Sequence, residues 1–360
     1  YGLEKTGLWS FFEGSWNRPS PQLDRSQQFE LLMSAGYVLR SLGEIASAIA
    51  PLTEAVGYSI EDHRTMARAA SLLASTLLTN GKMAEAVHYA EMGVALARKS
   101  NCPDALLLRM ASLGEVLHWV GEVSKAEEVL QISERMRREH RTAYNRNSLG
   151  RHNLCELLLD HRRTTEIDSV LSDPENDTLD IRTQTAALNQ VVAARGHLVQ
   201  LLENGRSLRN GIPQMDDAIA ALRELFALDY LCRHLINRAD YKMEDFQFRR
   251  SSRRRFDAEG VERDLSEAEE FISMGGFNTL RVDLCLVRAR HALLLRNLPA
   301  ASDFLAQAEQ HKQDTKGEYK EFAAGGWHPP DFVSAFAPGT TVMYRRRDRS
   351  FEATREWLGQ

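Results

Sequence analysis

Apolar and small residues recur along the first third of the chain in a fixed register around three turn glycines. Gly43, Gly81 and Gly121 are 38 and 40 residues apart. A small residue stands seven positions before each glycine, a leucine four before and an alanine five after: Gly36, Ala74 and Gly114; Leu39, Leu77 and Leu117; Ala48, Ala86 and Ala126. Glycine favours the left-handed turn that ends a helix, and small residues let two helices approach closely. The pattern therefore predicts three consecutive helix pairs.

The same spacing sets the expected limits of the helices. First helices are predicted at 25–42, 63–80 and 103–120, and second helices at 44–56, 82–97 and 123–138. Downstream the pattern loosens, but three ladders of small and apolar residues predict further second helices: Ala218, Leu222 and Leu225; Val261, Leu265 and Ala268; Ala301, Leu305 and Ala308. Their first helices are expected at 147–160, 185–202, 229–242 and 280–295. Helix pairs that each leave an apolar face exposed must stack, so we expect an all-α solenoid of about seven pairs.

Composition along the chain predicts four regions. An aromatic lead-in occupies 1–24, three regular pairs occupy 25–140, and about four degenerate pairs with long loops occupy 141–315. An irregular insert and a final capping helix are expected in 316–360, where a stretch rich in glycine, proline and aromatic residues begins. Long loops are predicted at 172–180, 204–215, 244–255 and 316–341.

The spacing of small residue, glycine and alanine resembles the tetratricopeptide repeat (TPR), lengthened from its usual period of about 34 residues. Segments at 29–56, 148–159, 260–272, 275–294 and 344–358 resemble the C-terminal sensor arrays of bacterial STAND-class signal-transduction NTPases. The resemblance implies a right-handed superhelical solenoid that senses a ligand or partner on behalf of a linked NTPase or effector domain, in signalling or defence. The inserts at 249–255 and 325–341 depart from that pattern.

Net charge and the absence of known motifs exclude several classes of function. The formal net charge is −5, which gives the whole chain no electrostatic reason to bind nucleic acid or an anionic membrane. No P-loop motif and no nucleophile elbow occur, so we expect no enzymatic activity in these residues, although a linked NTPase or effector stays open. No apolar run is long enough to cross a bilayer and no signal peptide is evident, so a cytoplasmic location is expected.

Metal ions and cofactors are also not expected. The four cysteines stand far apart inside helical patterns, which is typical of reduced core residues. Two E-x-x-H strings, at 85–88 and 115–118, would suit a di-iron carboxylate site only if they faced each other. They fall on a second helix and a first helix, on opposite faces, so we predict no metal site.

The first helices are expected to line the concave face of the solenoid through the residues 13, 10, 6, 3 and 2 positions before each turn glycine. Tyr, Trp and Arg supply much of the binding energy at protein interfaces. The predicted partner-binding residues are Met33, Tyr37, Arg40, Arg68, Ser75, Glu115, His118 and Trp119. They would bind a protein or peptide ligand, the protein's own NTPase or effector domain, or other subunits of one assembly. The alternative interpretation is that some of them pack inside the superhelix or only face solvent.

A basic insert gives a second hypothesis. Arg249, Arg250, Arg253, Arg254 and Arg255 stand within seven residues and are flanked by Phe246, Phe248 and Phe256. Arginines interleaved with aromatic residues can bind nucleic acid through phosphate contacts and base stacking. A solvated loop, or a contact with acidic parts of the same assembly, is the alternative explanation, and the net charge of −5 favours it over nucleic-acid binding. The three hypotheses are therefore a protein- or peptide-binding sensor, a nucleic-acid-responsive regulator and a stand-alone adaptor.

Overall fold

The computed structural model describes residues 2–58, 62–139, 149–161, 163–171, 184–225, 227–248 and 256–323. Within these ranges the chain forms fifteen α-helices and no β-strand. The all-α prediction is therefore confirmed for the described residues. Two compact units are present. Unit 1 holds the residues up to Gly150 and the segment Ser273–Thr279, and unit 2 holds Arg151–Ile272 and Leu280–Gly317. The four-region division stays a prediction.

Unit 1 begins with one short helix that is followed by three helix pairs. Consecutive helices of the pairs pack against one another, and the first helices α2, α4 and α6 also contact their neighbours of the same kind. The helices are α1 (Gly2–Trp9), α2 (Arg25–Ser41), α3 (Ile45–Gly57), α4 (His63–Asn80), α5 (Met83–Lys99), α6 (Pro103–Val120) and α7 (Val123–Glu139). Each of the six paired helices lies where the repeat spacing predicts it.

The turn glycines end the first helices as the register requires. Gly43, Gly81 and Gly121 have φ angles of 79°, 93° and 95°, in the left-handed region that disfavours side chains. The amide that follows each glycine donates to the carbonyl of the leucine four residues before it, as in the 2.9 Å bond from Lys82 to Leu77. The glycine and leucine of the repeat are thus two parts of one capping arrangement.

The small residue of the repeat allows the two helices of a pair to approach. A Cβ atom placed on Gly36 would lie 2.4 Å from Cδ2 of Leu52, and one on Gly114 would lie 2.4 Å from Cγ of Leu130. Both distances are far below van der Waals contact, so glycine is required here by packing and not by backbone conformation.

The aromatic lead-in forms a small cluster beside the first pair. Trp16 contacts Trp9 edge to face, with ring centroids 4.7 Å apart, and Phe12 in the same way at 5.1 Å. Phe12 is 8% exposed, whereas helix α1 buries none of its residues. Lys5 of α1 pairs with Glu44, which links the lead-in to the α2–α3 turn.

Unit 2 continues the paired pattern with longer and less regular helices. They are α8 (Leu149–Asp160), α9 (Thr164–Leu171), α10 (Gln184–Glu203), α11 (Ile212–Glu224), α12 (Leu228–Phe248), α13 (Ala258–Gly275), α14 (Asn278–Leu294) and α15 (Leu298–Ala323), which lie wholly or mostly in this unit. Together with α2–α7 they make the seven predicted pairs. The ladders at Ala218, Val261 and Ala301 lie on α11, α13 and α15, as predicted.

Two of the predicted loops begin later than the sequence suggested. Helix α12 continues to Phe248, past the expected loop start at 244, and α15 continues to Ala323, past the expected start at 316. The segment added to α15, residues 316–323, is rich in Glu, Lys and Ala, and these residues favour helix even beside a glycine. Within the predicted loop at 204–215, a short 3₁₀ turn at Leu208–Asn210 precedes α11.

Three of the four free cysteines are core residues, as expected. Cys155, Cys232 and Cys285 are buried, and Cys102 is partly exposed. Among the described helices, none is both long enough and apolar enough to cross a membrane.

Candidate functional site

The predicted partner-binding residues of unit 1 include exposed, partly buried and buried side chains. Tyr37 is 50% exposed and Arg68 is exposed, whereas Arg40, Ser75 and Glu115 are partly buried. By contrast, Met33, His118 and Trp119 are buried, with exposed fractions of 5%, 4% and 4%. We call the side of α2, α4 and α6 that carries Tyr37, Arg40, Arg68, Ser75 and Glu115 the first-helix face. The role of the three buried residues in binding stays a prediction.

Helices α2 and α4 bring three of these residues together. The Arg40 guanidinium of α2 donates to the hydroxyl of Ser75 and, at 3.4 Å, to that of Thr76, both on α4. Those hydroxyls donate in turn to the Leu72 carbonyl, at 3.1 and 2.7 Å. Tyr37 lies about one helical turn before Arg40 on α2. An exposed aromatic ring therefore stands beside a guanidinium that two hydroxyl groups hold in place.

Helix α4 presents a stripe of polar residues on this face. Arg64, Arg68, Ser71, Ser75 and Thr79 follow one another at helical intervals of three and four, so they share one side of the helix. Arg64 and Arg68 are exposed and Ser75 and Thr79 are partly buried, whereas Ser71 is buried next to Gly93 of α5. The Thr79 hydroxyl donates to the Ser75 carbonyl at 2.9 Å.

Helix α6 also reaches onto α4. The Arg109 guanidinium donates to the Ala67 carbonyl at 3.5 Å, which places it beside the backbone just before Arg68. The first-helix face thus combines a half-exposed ring, several guanidinium groups and a row of hydroxyls. These groups make the hydrogen bonds and aromatic contacts that extended peptides and protein surfaces offer. In the described part of the chain, no group of three or more His, Cys, Asp and Glu residues could hold a metal ion.

In unit 2 the same helix positions carry a buried charged cluster. The amide of Arg163 donates to the Leu158 carbonyl at 2.9 Å, the same bond that Lys82 makes to Leu77, so Leu158 corresponds to the leucine of the repeat, four positions before the turn. His152, Glu156 and Asp160 then stand 10, 6 and 2 positions before the turn. Arg195 of α10 likewise stands 10 positions before Gly205, whose φ is 62°.

These residues form an ion-pair network among first helices. Arg195 pairs with Glu156, and its Nη2 lies 4.0 Å from Asp160 Oδ1. Arg233 of α12 places Nη1 3.7 Å from Glu156 Oε2. All the cluster's carboxylates are buried. We call Glu156, Asp160, Arg195 and Arg233, with His152 and His234 beside them, the unit 2 charged cluster.

Burial and charge shift the pKa values in this cluster. Burial lowers the pKa of His152 to about 4, although Glu156 opposes the shift, and burial also lowers the pKa of His234 well below its usual value. Burial alone would raise the pKa of Glu156, but Arg195 and the other positive and imidazole groups around it lower that pKa below its usual range. At neutral pH Glu156 is therefore ionised, and His152 and His234 are neutral.

Further ion pairs extend along the later helices of unit 2. Asp240 of α12 pairs with Arg290 of α14, and Arg238 bonds to Asp216 at 2.8 Å and Asp264 at 2.7 Å. Neither these ion pairs nor the unit 2 charged cluster was predicted from the sequence. The register found for α2, α4 and α6 could have located those on α8 and α10, if it had been extended past the loosened turn motifs.

The basic insert hypothesis cannot be placed on the structure. Arg249, Arg250, Arg253, Arg254 and Arg255 lie outside the described residues. Of the flanking aromatic residues, Phe256 contacts His291 edge to face, with ring centroids 5.9 Å apart.

Comparison with known proteins shows the fold. No family model matches the chain, and no curated protein matches it. The Rap conjugation gene regulator of the plasmid pLS20, solved in complex with the Phr* peptide, is 12% identical over 80% of this chain and 74% of its own, with a TM-score of 0.58. A Rap protein complexed with competence and sporulation factor is 11% identical over 99% of this chain and 98% of its own, with a TM-score of 0.53.

Both neighbours are TPR-like helical-repeat proteins. At such low identity the likeness establishes the fold alone, a helical-repeat solenoid, and this confirms the predicted fold class.

Proposed function

We propose that the chain is a protein- or peptide-binding module that uses the first-helix face of unit 1. The observation that carries the proposal is the half-exposed Tyr37 beside Arg40, whose guanidinium is held by hydroxyls of the next first helix. An aromatic side chain and a fixed guanidinium lose little conformational freedom on binding, so they contribute strongly to interfaces. The neighbours of similar fold support this assignment, because the Rap regulator of pLS20 was solved with the Phr* peptide and the second Rap protein with competence and sporulation factor.

We further propose that the module is the sensor part of a larger bacterial signalling or defence protein. The support is the resemblance of segments such as 29–56 and 275–294 to the repeat arrays of STAND-class NTPases. In this proposal the described residues bind a cytoplasmic ligand and contribute no catalysis, and a linked NTPase or effector domain responds. A stand-alone adaptor would use the same face without such a domain.

A pull-down that compares two aromatic residues of equal exposure tests the binding face. Tyr37 and Phe11 are each 50% exposed, and only Tyr37 lies on the first-helix face. We expect the unaltered chain to retain a discrete protein or peptide from the host lysate, Tyr37→Ala to lose it, and Phe11→Ala to keep it. Capture is quantified by mass spectrometry, and circular dichroism checks that both variants remain folded.

Half of the lysate is treated with nuclease before capture. Loss of the retained material in that half alone would contradict the proposal and favour the nucleic-acid-responsive regulator. Equal retention by Tyr37→Ala and the unaltered chain would move the site away from this face.

A further inference from the structure

The turn between α14 and α15 differs from the other turns of the chain in its central residue. The amide of Asn297 donates to the Ala292 carbonyl at 2.9 Å, which is the bond that follows the turn glycine in each pair of unit 1. Ala289 stands seven positions before Arg296 and Ala301 stands five after it, like the small residue and the alanine of the repeat. Arg296 therefore occupies the position of the turn glycine.

The backbone of Arg296 adopts a conformation that is unfavourable for a residue with a side chain. Its φ is 60°, in the left-handed region where the Cβ atom crowds a carbonyl oxygen. In the described part of the chain, the other non-glycine residue with a positive φ is Asn101, and asparagine tolerates this region. A glycine at position 296 would relieve the strain, so folding gives no reason for an arginine here. Strained residues of this kind cluster at functional sites.

The side chains of this turn form an exposed apolar patch around one positive charge. Residues 295–299 are all exposed, and Leu295 and Leu298 are 52% and 51% exposed. Arg296 is the one charged residue between positions 292 and 302. Among the described residues, no carboxylate forms an ion pair with it. We call Leu295, Arg296, Leu298 and Pro299 the α14–α15 turn patch.

Hydrogen bonds hold the backbone of the turn patch in one conformation. The Arg296 amide donates to the Leu293 carbonyl at 2.9 Å, and the Asn297 side chain accepts from the Ala300 amide at 3.2 Å, which caps the start of α15. A surface whose backbone is already ordered loses little conformational freedom on binding. Single exposed leucines are ordinary on protein surfaces, whereas two of them beside a strained arginine in a well-ordered turn indicate a contact.

The chemistry of the turn patch favours a protein partner. Covering the two leucines requires an apolar surface, and the guanidinium between them requires a carboxylate, because a charge that is removed from water must be paired. One cation gives little attraction to an anionic membrane, and the formal net charge of −5 opposes it. A protein surface supplies both the apolar contacts and the carboxylate.

We propose that the α14–α15 turn patch docks on a partner protein whose surface carries two apolar contact sites with an aspartate or glutamate between them. Leu295 and Leu298 pack on the apolar sites, and the Arg296 guanidinium pairs with the carboxylate. The turn patch shares no residue with the first-helix face on α2, α4 and α6. Either surface can therefore fail its test without affecting the other.

Selection from a random peptide library displayed on phage tests the inference on the full chain. Phage that bind a chain with both Leu295→Ser and Leu298→Ser are removed first, which discards peptides for other surfaces. We expect the remaining peptides to carry bulky apolar residues on both sides of an aspartate or glutamate. A fluorescein-labelled peptide of this kind should bind Arg296→Glu about tenfold or more weakly than the unaltered chain, as measured by fluorescence anisotropy.

Arg206→Glu is the matched control. Arg206 is an exposed arginine that directly follows Gly205, the turn glycine after α10 in the same unit. Its replacement makes the same change in net charge, and we expect less than about a twofold effect on peptide binding. Replacing the acidic residue of the peptide by lysine should restore binding to Arg296→Glu, which a merely misfolded variant would not do.

Arg296→Gly separates binding from folding. Glycine suits the left-handed conformation, so the variant should unfold at a higher urea concentration than the unaltered chain. Its affinity for the peptide should fall, because the guanidinium is lost. Gly205→Arg makes the reverse change at a φ of 62° and should unfold at a lower urea concentration. A lower unfolding midpoint for Arg296→Gly would show that the arginine serves the fold, which would overturn the inference.

Other outcomes would also overturn the inference. Equal losses in Arg296→Glu and Arg206→Glu would show only long-range attraction. A library that yields no peptide after the removal step, or only peptides without an acidic residue, counts against the proposed partner. Light scattering that finds a dimer of the unaltered chain, but a monomer when both leucines are replaced by serine, would assign the turn patch to a second copy. Leucine-dependent sedimentation with phosphatidylserine vesicles would replace the protein partner by a membrane.

Discussion

At the scale of single residues, side-chain sizes are complementary where the two helices of a pair approach each other most closely. Gly36 faces Leu52 and Gly114 faces Leu130, the leucine being nine positions after the turn glycine in both pairs. The middle pair has Ala74 at the small position and Ala90, not leucine, nine positions after its turn. A larger residue on one helix thus accompanies a smaller one on the other. The sequence shows the small residue, but only the structure shows why it is glycine in two pairs and alanine in the third.

Replacing Gly114 by alanine should therefore destabilise unit 1. The new methyl group would overlap Leu130, and overpacking of this kind costs about 1–3 kcal/mol. The free energy of unfolding in urea measures the loss. Gly57→Ala is the control, because a Cβ there meets nothing within 4 Å and the residue ends helix α3 without a positive φ. If both variants unfold at the same urea concentration, the close approach of α6 and α7 does not set this position.

For the predicted binding residues too, the sequence gives the position on the helix, whereas packing decides the exposure. Helical periodicity predicts which residues of α2, α4 and α6 share a side of their helix. It could not show that Met33, His118 and Trp119 are buried, because their exposure depends on how closely neighbouring helices pack. Tyr37, Arg40 and Arg68 are left as the residues that a partner can reach or that orient those it reaches.

At the scale of elements, the unit 2 charged cluster joins α8, α10 and α12 through charge and not through apolar packing alone. Glu156 pairs with Arg195 of α10 and approaches Arg233 of α12. Buried ion pairs contribute little net stability compared with apolar packing, but they become costly when one partner is removed. Removing one partner should therefore cost more stability than the intact cluster contributes.

Glu156→Gln is expected to lower the unfolding free energy of unit 2 by about 3–5 kcal/mol, since it leaves a buried guanidinium without its main counter-charge. Thermal unfolding and hydrogen exchange of the α8 and α10 amides would measure the effect. The exposed pair between Arg223 and Glu267 provides the comparison, and Glu267→Gln should cost less than about 1 kcal/mol. Similar losses in the two variants would show that burial does not set the strength of these pairs.

The ends of the helices were predicted more accurately in unit 1 than in unit 2. The α4 and α6 limits follow from the cap and turn residues around them, and these residues act locally. Helix α12 ends later than expected, in a segment that has no glycine or proline to stop it. Helix α1 was not predicted, because it buries none of its residues and therefore has no apolar pattern in the sequence.

At the scale of the whole molecule, pH should act mainly through the buried histidines of unit 2. The pKa of His152 is lowered to about 4 in the folded chain, whereas an unfolded histidine titrates near its ordinary value of about 6.5. The unfolded state therefore binds protons first, so stability falls as the pH drops from about 6.5 toward 4 and is fully present above that range. The lowered pKa values of His234 and Glu156 act in the same direction.

The pH dependence can be assigned with two substitutions. The loss attributable to His152 alone is about 3 kcal/mol at most, and His152→Gln should flatten the fall in unfolding midpoint between pH 7 and pH 5. His63, which is exposed at the start of α4, serves as the control. The unfolding midpoint of His63→Gln should fall with pH in the same way as that of the unaltered chain. An unchanged profile in His152→Gln would place the titrating group elsewhere.

By itself the sequence determined that the chain is a series of helix pairs and where most of those helices begin and end. These properties follow from helical periodicity, turn glycines and caps, which act over a few residues. Only the tertiary structure decided which side chains of the first helices are exposed, that α4 receives guanidinium groups from α2 and α6, and that Glu156 and Arg195 of unit 2 form a buried ion pair. Those properties depend on distances between helices that are far apart in the sequence.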